Sequence, residues 1–471
     1  MNPASLPAAT PGQEVVHFLQ ALEPGALPAR ISEHAKWCLL DALGCGLFGS
    51  QQPWSRIMAA EMLAEHSLGD STVFGHAQTL AGPPAALCNG TASHGFELDD
   101  LLDEAIVHPG AIVVPAALAA AQAVDAAGAR LLLGIIAGYE IMDRVGRAIA
   151  MEPAHRGFHK TSLAGPIGAA VAAGVVMNLS AAHLSTAVGL ACSTASGIKT
   201  FAAGNGGGMM KRMHAGRPAE AGVRMAKLAA RGFTAPPAAI DGRFGMLEVF
   251  GGAAAQPALL TAGLGAQWAV ERVFVKVYPC CSWIQATVQQ LVALRGAAPL
   301  AATEVRKIVV GTNSYAKRIN GEPRPIDTMG AQYSIPYCAA LAVTGDPGDP
   351  ALYGEYAIDE AARRELARRV ELVIDTEMEA AYPRHYGARV ELHLANGRRR
   401  DSRVLDPHGM PADPCTEAER IAKFTRLASN VLPVEAIAGV ISAVRNCERA
   451  ASAREFTRLL RPDPRASRAT A

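Results

Sequence analysis

The sequence predicts a mainly α fold: an all-helical domain built from the N- and C-terminal segments, residues 1–268 and 409–471, with a smaller α+β module, residues 269–408, between them. Three observations predict it. Up to about residue 268 the chain is a succession of Ala-, Gly- and Leu-rich stretches of helical length. From about 270 short β-branched runs take over, two of them joined by Asn396-Gly397, a strong hairpin signal. Past a Pro/Gly-rich stretch at 405–414, helical patterns return at 417–430 and 433–448.

Taken in order, residues 1–12 read as a flexible lead. Residues 28–49 form a helix carrying Trp37, Leu40 and Leu43, with small residues Gly44, Gly46 and Gly49 toward its end. Residues 89–102 are expected to be helical. Residues 113–151 hold two helices divided at 127–130. Another spans 161–176, and Ser180 caps one that runs to about 195. An amphipathic helix follows Arg217. In the α+β module, strands are expected at 272–277, 305–311, 370–375, 388–394 and 398–404. Helices are expected there at 282–294, 334–344 and 359–370. The tail from Pro462 is expected to be disordered.

Composition narrows the function. Half of the 471 residues are hydrophobic and 18% are charged, which fits a compact globular chain. The 44 basic and 43 acidic residues leave a net charge of +1, so nucleic acid and anionic membranes are not expected partners. Nine cysteines, an odd number with one adjacent pair, read as reduced thiols in a cytoplasmic protein. No signal-peptide pattern opens the chain. The most apolar stretches, 111–127, 131–141 and 163–177, fall short of the roughly 20 residues a membrane span needs.

Four stretches could carry chemistry. Residues 204–232 start with glycines, place Lys211, Arg212, His214 and Arg217 within seven residues, and continue as a helix. Cations at a helix entrance suit a small carboxylate ligand. The stretch fits neither a P-loop nor a dinucleotide-binding turn. Residues 94–115 put Glu97, Asp99 and Asp100 ahead of His108-Pro-Gly at another helix start, where a neutral imidazole is favoured. Crowded carboxylates there should raise at least one carboxyl pKa. The plain alternative is a solvated acidic face with His108 as a cap. Residues 155–162 carry His155 and His159 four apart. No HExxH follows, and Cys280-Cys281 is a poor second metal pair, so no metal is expected. Tyr278-Pro-Cys-Cys281 enters a helix, which should make Cys281 a better thiolate than average. The alternative is that both cysteines are packing residues. No Gly-x-Ser-x-Gly elbow is present.

Together HGFELDD…HPG, GFHKTS, KRMHAGRPAEAGV…ARGFTAP, VYPCC, QYSIPYCAA and DPHGMPADP, in this order from about Ala35 to about Cys447, resemble the MmgE/PrpD family. The resemblance implies a helical domain with a smaller α+β lid, assembled as a homodimer. It also implies catalysis without metal or organic cofactor on small di- or tricarboxylates. Members include 2-methylcitrate dehydratase, cis-aconitate decarboxylase and iminodisuccinate epimerase. By motif, Glu97 stands where the decarboxylases have the first Asp of Asp-Phe-Asp-Asp. His108 matches the His of His-Pro-Ser/Gly, His159 that of Gly-Phe-His-x-Thr-Ser, and Lys211 the lysine of Lys-x-Leu/Met-His. Leu101 falls near their catalytic-site threonine, and Cys281 takes the place of their lid histidine.

The implied activity is a lyase that dehydrates a 2-hydroxy acid through charge developing beside a carboxylate. His159 or Glu97 is the expected base, and His108 or Cys281 the expected acid. Lys211, with Arg212 and His214, is expected to stabilise the developing charge, and Asp100, Thr161 and Arg217 to complete the substrate-binding set. Epimerisation, decarboxylation and a non-catalytic carboxylate-binding scaffold remain open.

Overall fold

The computed structural model describes residues 9–65, 68–203 and 205–462. The expectations for residues 1–8, for Gly204 and for the tail beyond 462 lie outside the described residues. The fold is mainly α. Strands among the described residues make one four-stranded sheet and two two-stranded pairs. No helix among them is long and apolar enough to cross a membrane.

Helices Ala29–Ser50, Gly82–Ser93, Gly110–Val124, Gly128–Ala148, Lys160–Val176, Ala181–Cys192 and Met213–Ala230 pack around a large apolar cluster rich in alanine. Helices Glu417–Ala428 and Val434–Arg445 add Phe424, Ile437, Val440 and Val444 to that same cluster. Ser180 accepts a hydrogen bond from the His183 amide, as expected of a cap. Small residues let these helices approach closely. Gly90 meets Gly216 where two helices cross, and a Cβ on Gly90 would lie 2.8 Å from the Gly216 Cα. That crossing brings the entrance of the Met213–Ala230 helix beside His94.

A second apolar cluster gathers residues from 274–427 with Cys45, Phe48, Trp54, Phe96, Leu98 and Leu101. Its sheet runs in the order Val370–Ile374, Val305–Thr312, Ala388–Leu394, Arg399–Val404. The first pair is parallel and the others antiparallel. Gly397 of the expected hairpin takes φ 86°, which the tight turn requires. Helices Gln285–Arg295, Ile335–Thr344 and Ala361–Arg368 occupy the expected intervals.

Four expectations are corrected. The lead includes a helix from Pro11, Pro11–Gln20, because Thr10 and Gln13 form a capping box. Residues 89–102 are not one helix. Gly82–Ser93 ends at His94, and residues 94–100 are a buried loop whose three acids are drawn off the helix axis by partners elsewhere in the chain. Residues 272–277 do not join the large sheet: Val273–Phe274 pairs with Leu101–Leu102 and ties that loop down. The helix expected after Arg217 begins earlier, at Met213, so Arg217 lies within it.

Candidate active site

The loop 94–108 supplies the acids and imidazoles. Asp100 Oδ1 accepts the Gly110 amide at 2.8 Å, and Oδ2 accepts the Tyr139 hydroxyl at 2.7 Å, which pins the loop to the start of the Gly110–Val124 helix. A Cβ on Gly110 would sit 2.7 Å from Asp100 Oδ1, so this close tie requires glycine there. Asp99 Oδ2 lies 2.6 Å from His94 Nδ1 and 3.2 Å from His108 Nδ1. His108 Nδ1 is also 2.8 Å from the Asp100 carbonyl oxygen, and the His108 amide donates to Thr161 Oγ1 at 3.3 Å. Both histidines thus carry a proton on Nδ1, which leaves each Nε2 as an acceptor. His94 Nε2 and Asp99 Oδ1 are buried with no hydrogen-bond partner among the described residues.

Glu97 is the electrostatic hub. It adopts φ 57°, a left-handed backbone that costs a non-glycine residue roughly 1–3 kcal/mol. Three cations converge on its carboxylate and hold it there: Lys211, Lys276 Nζ at 3.2 Å and Arg212 Nη1 at 3.5 Å. Arg212 also donates to Gln332 Oε1 at 2.8 Å and lies 4.7 Å from the Trp54 ring centroid. Gln332 in turn donates to the Phe96 carbonyl at 2.9 Å and accepts the Cys281 amide at 2.9 Å. These bonds tie the α+β elements to the loop 94–100. On the other side His159 Nδ1 is 3.1 Å from His214 Nδ1, and the His159 ring stacks on that of His94 at 5.7 Å. Lys211 Nζ is 5.6 Å from the Tyr333 ring centroid.

Burial sets the protonation states. It pushes His94 down to about 3 and His214 to about 4, helped by the Lys211 charge, and lowers His159 and His108 as well. All four imidazoles are neutral. Burial opposes ionisation of Glu97, but Lys211, Lys276 and Arg212 outweigh it and hold its carboxyl below the usual range. Asp99 is likewise kept ionised, against burial, by the ring donors of His94 and His108. Of the three acids Asp100 rises, to about 7, through burial first, then the nearby Asp41, with Asp99 adding to it; Asp103 of the same loop also rises, to about 6, through burial. Cys281 departs from expectation. Burial and Glu97 push its thiol up, outweighing the helix entrance that was expected to favour a thiolate.

The structure therefore brings Glu97, His108, His159, Thr161, Lys211, Arg212, His214 and Cys281 into one buried cluster. Asp100 lies beneath it with both oxygens occupied. Arg217 is not buried with them: its side chain is 62% exposed and paired with Glu220, and it lines a surface cavity together with His214. The Gly207 and Gly208 amides donate to Asp327. His155 packs against Tyr315 and His159 against His214, so these two do not face a common ion. One donor atom each from His94, Asp99 and His108 come within 4.8 Å of one another. The 2.6 Å His94–Asp99 contact is shorter than the ~3 Å between two ligands bound about 2.1 Å from one ion. It is a hydrogen bond.

Sequence reasoning missed Lys276, His94, Asp99 as an anchor, Gln332 and Tyr333. The signal for Lys276 was a lone lysine inside the apolar run Val273–Val277, and that for His94 was its place in the same motif as Glu97.

The MmgE/PrpD N-terminal domain model matches residues 13–257 and the MmgE/PrpD C-terminal domain model matches residues 278–448. The chain belongs to the MmgE/PrpD family. It is similar to the cis-aconitate decarboxylase-like protein oryM of Aspergillus oryzae, with 28% identity over 97% of this chain and 98% of the relative. It is also similar to a cis-aconitate decarboxylase of Aspergillus terreus, at 27% identity over 89% of each chain. The human cis-aconitate decarboxylase is 27% identical over 95% of this chain and 94% of its own. The buried cluster draws on both halves of the MmgE/PrpD match, Glu97, His108, His159 and Lys211 from the first and Cys281 from the second.

Proposed function

We propose that this MmgE/PrpD chain is a lyase that acts on a small di- or tricarboxylate and breaks a bond next to a carboxylate, with dehydration of a 2-hydroxy acid as the reaction. The observation that carries the proposal is the pairing of a cationic centre with neutral imidazoles. Lys211, Lys276 and Arg212 exceed what Glu97 can neutralise, so the centre retains positive charge for an incoming carboxylate. His159 is neutral, and in the tautomer that directs Nδ1–H at His214 its Nε2 takes a proton from carbon. As that proton leaves, charge flows onto the adjacent carboxylate, where Lys211 and Arg212 stabilise it. The raised Cys281 thiol stays protonated and delivers a proton to the departing hydroxyl, releasing water. Transfer of the proton from the His159 imidazolium to the thiolate resets the site. Glu97 is held as an anion by three cations, which makes it a poor base and a good organiser.

The proposal extends to a helical body (1–268, 409–471) and an α+β lid (269–408), supported by the two apolar clusters, and to a cytoplasmic homodimer that needs no metal or organic cofactor. Assay of 2-methylcitrate, citrate, malate- and tartrate-type acids for unsaturated product tests it. No turnover of any of them by folded protein would overturn it. Decarboxylation is the second reading, supported by the names of the relatives above. Release of carbon dioxide from cis-aconitate would establish it. Solvent deuterium entering substrate without loss of water would mark an epimerase, and carboxylate binding without turnover a scaffold.

A further inference from the structure

The stretch DPHGMPADPCTEAE, residues 406–419, opens with one of the family motifs, yet none of its side chains enters the buried cluster. One donor atom each from His408, Cys415 and Glu419 lies within 4.8 Å of the other two. His408 Nε2 is 3.2 Å from Glu419 Oε1. That separation fits the ~3 Å between two ligands bound about 2.1 Å from one ion, which the 2.6 Å His94–Asp99 contact does not. On the far side of the ring, His408 Nδ1 is 3.1 Å from Asp413 Oδ2. A carboxylate in that place fixes the orientation and tautomer of a metal-binding imidazole. In the tautomer that directs Nδ1–H at Asp413, His408 Nε2 and Glu419 Oε1 face each other as two acceptors. They need a cation between them, either a proton on Nε2 or a metal ion, and only a metal ion draws on the Cys415 sulfur as well.

The surrounding chain holds these donors in place and leaves room beside them. Glu419 Oε2 accepts the amide and the hydroxyl of Thr416, both at 2.7 Å, at the start of the helix Glu417–Ala428, while Oε1 is left for His408. The His408 amide donates to Gln289 Oε1 at 2.9 Å, and the Val275 amide donates to the Gly409 carbonyl at 2.9 Å. His408, Cys415 and Glu419 line one cavity of about 270 Å³, enough for an ion and the waters that complete its shell. The cations around this cavity are largely engaged. Lys423 is paired with Asp41 at 2.7 Å and Lys276 with Glu97, the Arg420 Nε donates to the Cys415 carbonyl at 3.1 Å, and Arg426 also lines a neighbouring cavity that carries Asp346, Asp349 and Glu355. Burial raises the Cys415 thiol, with Lys423 and Arg420 opposing, so the sulfur keeps its proton until a metal displaces it.

We propose that His408, Cys415 and Glu419 bind one divalent ion of the zinc class, with Asp413 orienting His408 and water in the fourth position. The Cys415 proton passes to solvent as its sulfur joins the ion. The site clips the loop that carries His408 to the start of the helix Glu417–Ala428. It takes no part in the reaction proposed above and does not rest on it. The test titrates chelator-treated, full-length protein with Co²⁺ and then with Zn²⁺. Wild type should take up one Co²⁺ per chain with a thiolate-to-cobalt charge-transfer band, and Zn²⁺ should remove that band. Cys415→Ser should lose the band, and Asp413→Asn should keep it while binding Co²⁺ about 10–100-fold more weakly. Zinc at about 100-fold above its Kd should raise the wild-type melting temperature by at least ~2 °C and that of Cys415→Ser by less than about half as much. A wild type without the band, or a Cys415→Ser variant that retains it, overturns the site. Binding at the His94–Asp99–His108 group, which has no thiol, gives no band and so counts as the first of these results. If Cys415→Ser does not fold, Asp413→Asn decides, because it alters a mostly exposed side chain, and an unchanged Co²⁺ affinity in that variant overturns the site.

Discussion

Asp100→Asn should stabilise the protein at neutral and alkaline pH, although it alters a fully buried, doubly hydrogen-bonded residue. Burial and the nearby Asp41 raise the Asp100 carboxyl to about 7, against roughly 3.9 in an unfolded chain. Between these values the folded state binds a proton that the unfolded state does not. The contribution of this group is therefore full below about pH 4 and is lost as pH rises through about 7. About three pH units at roughly 1.4 kcal/mol each give an upper figure of about 4 kcal/mol, and relaxation around the ionised group reduces it to ~2 kcal/mol. Asparagine can keep both bonds, with Oδ1 accepting the Gly110 amide and Nδ2 donating to the Tyr139 oxygen, and it does not ionise. Thermal melts of wild type and variant from pH 5 to 8 read the effect. The variant should melt within about 1 °C of wild type at pH 5 and at least ~2 °C above it at pH 8. A gap that does not widen with pH, or a variant that melts lower at pH 8, would refute the argument.

Three further outcomes follow from the site. Lys276→Met removes one of the three cations on Glu97 and should lower kcat/KM at least tenfold while KM for the reacting acid rises; unchanged kinetics would exclude Lys276 from the centre. His159→Asn should lower kcat by 10²–10⁴ with an unchanged circular dichroism spectrum. Because its proton affinity is depressed, the wild-type kcat/KM should stay flat as pH falls through 6.5, and a fall centred there would count against His159 as the base. Gly216→Val would place its Cβ 2.3 Å from Thr91 Oγ1 and 2.4 Å from the Leu87 carbonyl, so soluble yield or melting temperature should drop sharply. A valine variant as stable as wild type would mean the helix crossing does not hold Lys211 and Arg212 in place.

The helices were legible as apolar stretches of helical length, as in Gly110–Val124 and Gly128–Ala148, and where a Ser cap opens one, as in Ala181–Cys192. The 388–404 hairpin announced itself through Asn396-Gly397. Two of the misread segments, 94–102 and 272–277, are ones where distant partners override local preference, whereas the Pro11–Gln20 helix carries a local capping box that was overlooked. Residues 94–100 look helical in isolation, yet Glu97, Asp99 and Asp100 each leave the axis for a cation, an imidazole or a hydroxyl elsewhere in the fold. The cluster was partly legible, since Glu97, His108, His159 and Lys211 lie in recognisable motifs. Arg217 shows the limit of that approach: five residues beyond Arg212 on the same basic stretch, it points to solvent.

By itself the sequence determined the helical class, the small-residue contacts that let the helices close on one another, and the residue types available for carboxylate chemistry. Those follow from local spacing and composition. Only the tertiary structure decided which charges meet. Glu97 and Lys276 are 179 residues apart, and no local pattern says that one lysine of a short apolar run will complete a three-cation cage. The same holds for the protonation states, because the Cys281 thiol rises and the imidazoles fall through burial, a property of the packed molecule.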